Sequence, residues 1–445
     1  LSRAELDARY GSDPWLHNIL LSAWEYVAGV PVVESLPWNL TFGITTTCNA
    51  RCPSCTVPLR RTREAARSPE ADDIPHLDTL LRHVRYLILT GGEPTIHPRF
   101  GQILEKIRAL ADPRMYATMI THGGRLDRFR DALAAANINL TVSLNAATAA
   151  THHKLMRLGP GAFDRIVESI RHARSVGRIV DLSLFVAREN IAEIPAFIAL
   201  AEELDVHGIY FRTLIPGDYY ISLFAQDRDI ETLVPWAHPD FARLQADAVA
   251  AISQAKVKIY GDPSQWGLKL QSATLPEGAT REAYIAAVRD DPPLAFTKGD
   301  PLPAGSDGDA WRRPVDNPYN RLAPFACSYP WYALKVLDTS RKLIPCGFLQ
   351  HIQGHEDVSL AGADDFRTLW NSPAMVHLRR SLTDGPLLPE CVTCPYQMGG
   401  EGQCQTDHAK VKTWPQRDLL ARQGQTQPVA AIQPPPSTRP ELSGA

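Results

Sequence analysis

The sequence predicts an α/β chain built on a parallel sheet, followed by a smaller hairpin-and-helix domain. Three observations carry this. Between residues 40 and 215, strand-like and helical patterns alternate, which requires βαβ crossovers. From 216 to 324 the alternation is lost, with Pro, Gly and Asp gathered in Asp290-Asp-Pro-Pro and over Gly299–Pro314. From Cys327 a run ending Leu-Lys-Val, a turn at Asp338-Thr-Ser-Arg and the run Leu343-Ile-Pro-Cys346 read as a hairpin, and a helical pattern follows over Asp364–Leu382.

In chain order, a helix is expected over Trp15–Ala28, with Leu16, Ile19, Leu20, Trp24 and Val27 on one face. It is expected to cap the main domain. Strands are expected at Leu40–Thr45, Tyr86–Thr90, Tyr116–Thr121, Asn139–Leu144, Ile179–Val186 and Gly208–Leu214. Helices are expected between them at 76–83, 98–111, 126–136, 162–176 and 191–204, with one more near 239–254. The domain plan is therefore 1–38 cap, 39–215 sheet and helices, 216–324 insertion over the sheet's open side, 325–412 second domain, and 413–445 a Gln/Pro-rich disordered tail.

Composition excludes several classes. The chain has 445 residues, enough for two or three domains, and is 44% hydrophobic and 21% charged, as ordinary globular proteins are. A net charge of −3 gives no case for a nucleic-acid partner. No apolar run approaches a membrane span, and the first ten residues are too charged for a secretory signal, so the expected location is the cytoplasm.

The eight cysteines form two groups, 48/52/55 and 327/346/391/394/404. Such pairs in a long unsecreted chain argue for metal rather than disulfides. Cys48-Asn-Ala-Arg-Cys52-Pro-Ser-Cys55 follows the first strand. Zinc sites and ordinary clusters take four protein ligands. Three thiols thus read as a [4Fe–4S] cluster with one iron open, as half a zinc site, or as buried thiols. The second strand ends in Gly91-Gly92-Glu93-Pro94, where two glycines permit a sharp turn and close backbone approach and the proline fixes the exit. Cys327, Cys346, Cys391 and Cys394 make a closed four-thiol set for zinc or a [4Fe–4S] cluster.

The three-cysteine loop after one strand and the Gly-Gly-Glu-Pro turn after the next resemble the radical S-adenosylmethionine (SAM) enzymes. This resemblance covers about 40–215 and 325–397. It implies a partial (β/α)6 TIM-like barrel with the site at the C-terminal ends of the strands. It implies that Cys48, Cys52 and Cys55 hold a [4Fe–4S] cluster whose open iron binds SAM. Cluster reduction would then cleave SAM to a 5′-deoxyadenosyl radical that takes hydrogen from substrate, with an electron donor such as flavodoxin or ferredoxin. Gly91, Gly92, Glu93 and Pro94 would cradle the SAM amino group, Ser143 its carboxylate or ribose, and Arg157 its carboxylate. Asn190 and, more weakly, Arg212 belong to the same pocket. His122 stands where many relatives have Asn, and Asn145 where Asp is usual. His122 reads first as a loop histidine satisfied by backbone, with substrate contact or proton transfer as the other possibility.

The later cysteines look like the twitch half of a SPASM extension, with Cys327, Cys346, Cys391 and Cys394 holding an auxiliary [4Fe–4S] cluster; structural zinc is the other reading. Cys404 is left over as a spare ligand, an inert thiol or a hydrogen donor. The expected function is oxidation of a small polar metabolite by two electrons, assisted by the auxiliary cluster, in natural-product tailoring. The alternatives are a radical epimerase using Cys404, a maturase cross-linking a ribosomal peptide, and a non-catalytic zinc protein. Only 47 residues precede Cys48, so the leader-binding module of peptide-modifying relatives is not expected.

Overall fold

Among the described residues, the alternating pattern is realised within a nine-stranded sheet. In the computed structural model, residues 2–55, 76–212, 233–260, 327, 329–337, 342–344, 352, 355, 358–360, 362–383 and 388 are described. The strands are β1 (Asn39–Thr45), β2 (Tyr86–Gly91), β3 (Tyr116–Thr121), β4 (Ile138–Ser143), β5 (Val180–Phe185), β6 (Gly208–Arg212), β7 (Lys258–Tyr260), β8 (Ala333–Leu337) and β9 (Lys342–Ile344). Their spatial order is β7-β6-β5-β4-β3-β2-β1-β8-β9. Strands β2 to β7 pair in parallel, with Leu89 beside Met119, Met119 beside Leu140, Val142 beside Leu182 and Leu182 beside Ile209. The first five residues of both β4 and β5 are buried, which is what a parallel sheet covered on both faces requires.

Helices α1 (Arg3–Tyr10) and α2 (Pro14–Val27) precede the sheet. Its crossovers carry α3 (Leu77–His83), α4 (Phe100–Leu110), α5 (Arg130–Ala135), α6 (Ala149–Met156), α7 (Ala162–Ser175), α8 (Ile194–Glu203) and α9 (Phe241–Gln254). Periodicity decides their inner faces. In α4, Phe100, Ile103, Leu104 and Ile107 are buried, one stripe at i, i+3, i+4 and i+7. Ile166, Ser169, Ile170 and Ala173 do the same in α7.

All six expected strands are present. The expected loss of alternation after 215 is corrected, because α9 acts as a further crossover and β7 pairs in parallel with β6, Gly208 beside Lys258. Most of the expected insertion (216–232 and 261–324) lies outside the described residues, as does the expected tail. Strands β8 and β9 are neighbours separated by residues 338–341; four residues are too few for a crossover, so they form the expected hairpin.

The described residues divide into two compact units. One takes those of Leu1–Asn39, Pro301–Leu334 and Ile344–Ala445, the other those of Leu40–Asp300 and Lys335–Leu343. In the first unit, the apolar face of the N-terminal helix is covered from within that unit. Trp15, Leu16 and Ile19 of α2 cluster with Trp38, Tyr332 and Ala333, and the Trp38 and Tyr332 rings stack at 4.6 Å. Ser22 donates to the Trp331 carbonyl at 2.9 Å. Trp331 and Tyr332 of the short helix α10 (Tyr329–Tyr332) thus anchor the N-terminal segment. Helices α11 (Phe366–Trp370) and α12 (Pro373–Thr383) also belong to the unit. Arg379 of α12 is fully buried, donates to the carbonyls of Pro31, Pro330 and Trp370, and lies over the Trp370 ring.

Candidate active site

The chemistry-bearing residues of the second unit collect where its parallel strands end. After β1 the chain runs through Cys48, Cys52 and Cys55, all half-buried. The Gly92 N–H donates to Thr45 O at 2.5 Å and the Glu93 N–H to Thr47 O at 2.8 Å, so the turn after β2 is stitched to the start of the cysteine loop. Both glycines are compulsory. A Cβ on Gly91 would stand 2.2 Å from Thr45 O, where φ is also +132°, and one on Gly92 would stand 2.2 Å from Thr47 O. Pro94 then opens a 3₁₀ turn, Pro94–Ile96, whose first N–H groups need no carbonyl partner.

Glu93 faces inward. It is fully buried, and its Oε1 accepts from the Thr95 N–H (3.1 Å), the Thr95 hydroxyl (2.6 Å) and the Thr121 hydroxyl (2.7 Å). Its Oε2 accepts the His122 N–H at 2.9 Å. The carboxylate therefore locks the β2 and β3 ends together, and what the turn presents outward is backbone. His122 is buried; its Nδ1 accepts the Gly124 N–H at 3.0 Å and its Nε2 lies 2.9 Å from Asn49 Oδ1. Burial lowers its pKa against the raising effect of Glu93.

At the end of β4, Ser143 is half-buried beside Ser183 of β5. Asn145 adopts φ +58° and its Oδ1 accepts the Phe185 N–H at 2.8 Å, while its Nδ2 donates toward Met156 Sδ. An Asp here would have no hydrogen to give the thioether. Arg157 caps α6 in the left-handed region (φ 51°) and is exposed, its guanidinium making no hydrogen bond or ion pair to another described residue. Asn190 follows β5. It is fully buried, its Nδ2 donates to the carbonyls of Asn145 and Phe185, and its Oδ1 accepts the Ala187 N–H. Its polar atoms are used within the protein, where they brace the β4 and β5 loops. Arg212 lies over the Tyr210 ring at 5.4 Å.

Two neighbours of the cysteine loop are not evident from sequence reasoning. Asn49 sits inside the loop, where a polar residue between thiols is the one available signal. Met156 carries none: its carbonyl accepts the Arg51 N–H at 3.1 Å and its Sδ lies 3.5 Å from Cys52 Sγ. In the other unit, Cys327 is half-buried, while Cys346, Cys391, Cys394 and Cys404 lie outside the described residues.

Residues 42–201 match the model of the Radical SAM superfamily. This stretch belongs to the radical SAM superfamily. Its members bind SAM and a [4Fe–4S] cluster. The chain is 32% identical over 175 residues to the PqqA peptide cyclase of Gluconobacter oxydans, covering 39% of this chain and 48% of that protein. It is 35% identical over 130 residues to a probable GTP 3′,8-cyclase of Saccharolobus islandicus, covering 29% of this chain and 41% of that protein. The matches thus span less than half the length of these curated relatives. In fold, the chain is similar to Streptococcus suis SuiB, solved bound to its precursor peptide SuiA, with a TM-score of 0.50 at 14% identity over 82% of this chain and 71% of that one.

The radical SAM domain's donor set suits such a cluster. Three thiols, the ligand type iron–sulfur clusters take, stand within eight residues beside the glycine turn that admits no side chain. Among the described residues, no three His, Cys, Asp or Glu side chains already stand grouped to hold a metal ion. No helix among them is long and apolar enough to cross a membrane.

Proposed function

We propose that this chain is a radical SAM enzyme that modifies a peptide, forming a bond within it at the expense of two hydrogens. The observation that carries the reading is the 32% identity to a peptide cyclase over 175 residues. Cys48, Cys52 and Cys55 would hold the [4Fe–4S] cluster. When bound, the cluster and SAM supply a hydrogen-abstracting radical, chemistry that side chains alone do not offer.

The chain's own residues provide binding and orientation. The Gly91-Gly92 backbone would meet the polar end of SAM without steric obstruction. Arg157, exposed and without an ion pair among the described residues, offers a two-pronged guanidinium to a carboxylate. Ser143 supplies a hydroxyl on the neighbouring strand end. The buried carboxylate of Glu93 keeps these strand ends in one arrangement, so the donors need no reordering as ligand enters.

A second reading is action on a small polar metabolite, which the likeness to a probable GTP cyclase supports; a two-electron oxidation with an auxiliary cluster on Cys327, Cys346, Cys391 and Cys394 is proposed with it. Anaerobic assays with SAM and a reductant separate the two. Peptides encoded in DNA flanking the gene should stimulate 5′-deoxyadenosine release and lose the mass of two hydrogens. Stimulation by nucleotides or other polar metabolites, with none by any such peptide, would overturn the peptide reading.

A further inference from the structure

The cysteine loop is held on two sides by residues that are not themselves ligand candidates. On one side, Met156 O accepts the Arg51 N–H at 3.1 Å. On the other stands His122, whose hydrogen bonds fix its tautomer. The Gly124 N–H points at Nδ1 at 3.0 Å, so Nδ1 is the acceptor and the ring hydrogen sits on Nε2. That hydrogen is directed at Asn49 Oδ1, 2.9 Å away, with Glu93 Oε2 at 3.4 Å on the same side. The ring cannot swing away easily. It is buried, its backbone N–H is bound to Glu93 Oε2, and Glu93 is tied in turn to Thr95 and Thr121. Asn49 is exposed and immediately follows Cys48.

We propose that His122 is a positioning residue for the three-cysteine loop, its Nε2–H holding Asn49 and thereby fixing Cys48 relative to the Gly91–Pro94 turn. The relay runs from a buried carboxylate, through an imidazole of defined tautomer, to a loop amide one residue from a thiol. Outer residues of this kind orient metal ligands, and their loss typically lowers metal affinity about 10–100-fold. The proposal rests on the radical SAM reading of the site. It also accounts for a histidine at this position, because an imidazole both accepts from Gly124 and donates to Asn49 across the width of the ring.

The test uses the full chain, reconstituted anaerobically with iron and sulfide. The readouts are the rate of iron loss to a ferrous chelator, the electron paramagnetic resonance spectrum of the reduced cluster with and without SAM, and SAM affinity by calorimetry. His122→Phe keeps a ring but removes both nitrogens; Asn49→Ala changes only an exposed loop side chain and should leave folding intact. Each should speed iron loss about tenfold and weaken the spectral response to SAM. The double variant should be no worse than the worse single one, because both remove the same bond. His122→Gln, which can still present an N–H, should recover part of the loss. If Asn49→Ala retains iron and SAM affinity within twofold of the unsubstituted chain, or if the two substitutions act additively, the proposal fails. Uptake of no iron by the unsubstituted chain would overturn the proposal and the radical SAM reading together; a loaded chain indifferent to both substitutions would overturn the proposal alone.

Discussion

His152 lies on α6 with its Nε2 sealed from water and without a hydrogen-bond partner among the described residues. Its ring stands edge-on to Phe163 at 5.6 Å, an apolar setting in which the charged form is disfavoured. Burial, with His122 and His153 adding to it, pushes its pKa from 6.5 down to about 4. The sign of the consequence follows directly. Above the unfolded value both states are neutral and the group contributes nothing; below it the unfolded chain binds a proton that the folded chain refuses. Stability therefore falls as pH drops from about 6.5 toward about 4, and levels off below that. His152→Phe removes both the unanswered nitrogen and this titration. The unfolding midpoint of the variant should decline less than the parent's between about pH 7 and 5. An equal decline in the two proteins would show that His152 takes up its proton in the folded state. None of this was legible in the sequence, where His152 and His153 look alike. His122 was partly legible: its reading as a loop histidine satisfied by backbone agrees with the Gly124 contact, whereas the Asn49 contact depends on a loop 73 residues away.

At the scale of elements, the turn after β2 shows why a short motif can be read with assurance. Gly-Gly-Glu-Pro is demanded by contacts that leave no choice: backbone oxygens where two Cβ atoms would sit, a carboxylate with several donors around it, and a proline at the first position of a 3₁₀ turn. Gly92→Ala should force the turn away from Thr47 and loosen both N–H bonds to the cysteine loop. A loss of about 2–4 kcal/mol is expected, in the range for backbone strain combined with lost buried hydrogen bonds. Gly101→Ala in α4 is the matched control. Its added Cβ would meet nothing within 4 Å, so it should stabilise the fold by about 0.5–1 kcal/mol. Chemical denaturation of the two variants checks both signs, and a Gly92→Ala protein as stable as the parent would refute the steric argument. Strands β2 to β6 were legible to within two residues of their ends because their apolar runs are bounded by polar or glycine-containing loops. Elements with weak patterns were missed: α1 buries only Leu6, α6 carries adjacent histidines, and β7 is three residues long.

For the whole molecule, pattern located the sheet but not the partners of its flanking segments. The apolar face of α2 was evident, yet sequence could not say that Trp38, Tyr332 and Ala333 would cover it, because contacts across some 300 residues leave no periodic trace. The cysteines pose the same problem of distance. Two groups lie in the two units, Cys48, Cys52 and Cys55 in one and Cys327 in the other, and spacing alone does not choose a metal for the second. Iron stoichiometry chooses. If Cys327, Cys346, Cys391 and Cys394 hold an auxiliary cluster, the reconstituted chain should carry about eight irons, two clusters of four. Cys391→Ala with Cys394→Ala should then lower the count to about four while leaving the spectral response of the remaining cluster to SAM intact. Zinc in place of the second four irons would assign the later cysteines a structural role and remove the basis for an oxidation that passes electrons to an auxiliary cluster. Zinc without any iron would reach further, because the three-thiol loop would then bind no cluster and the proposed chemistry would have no source.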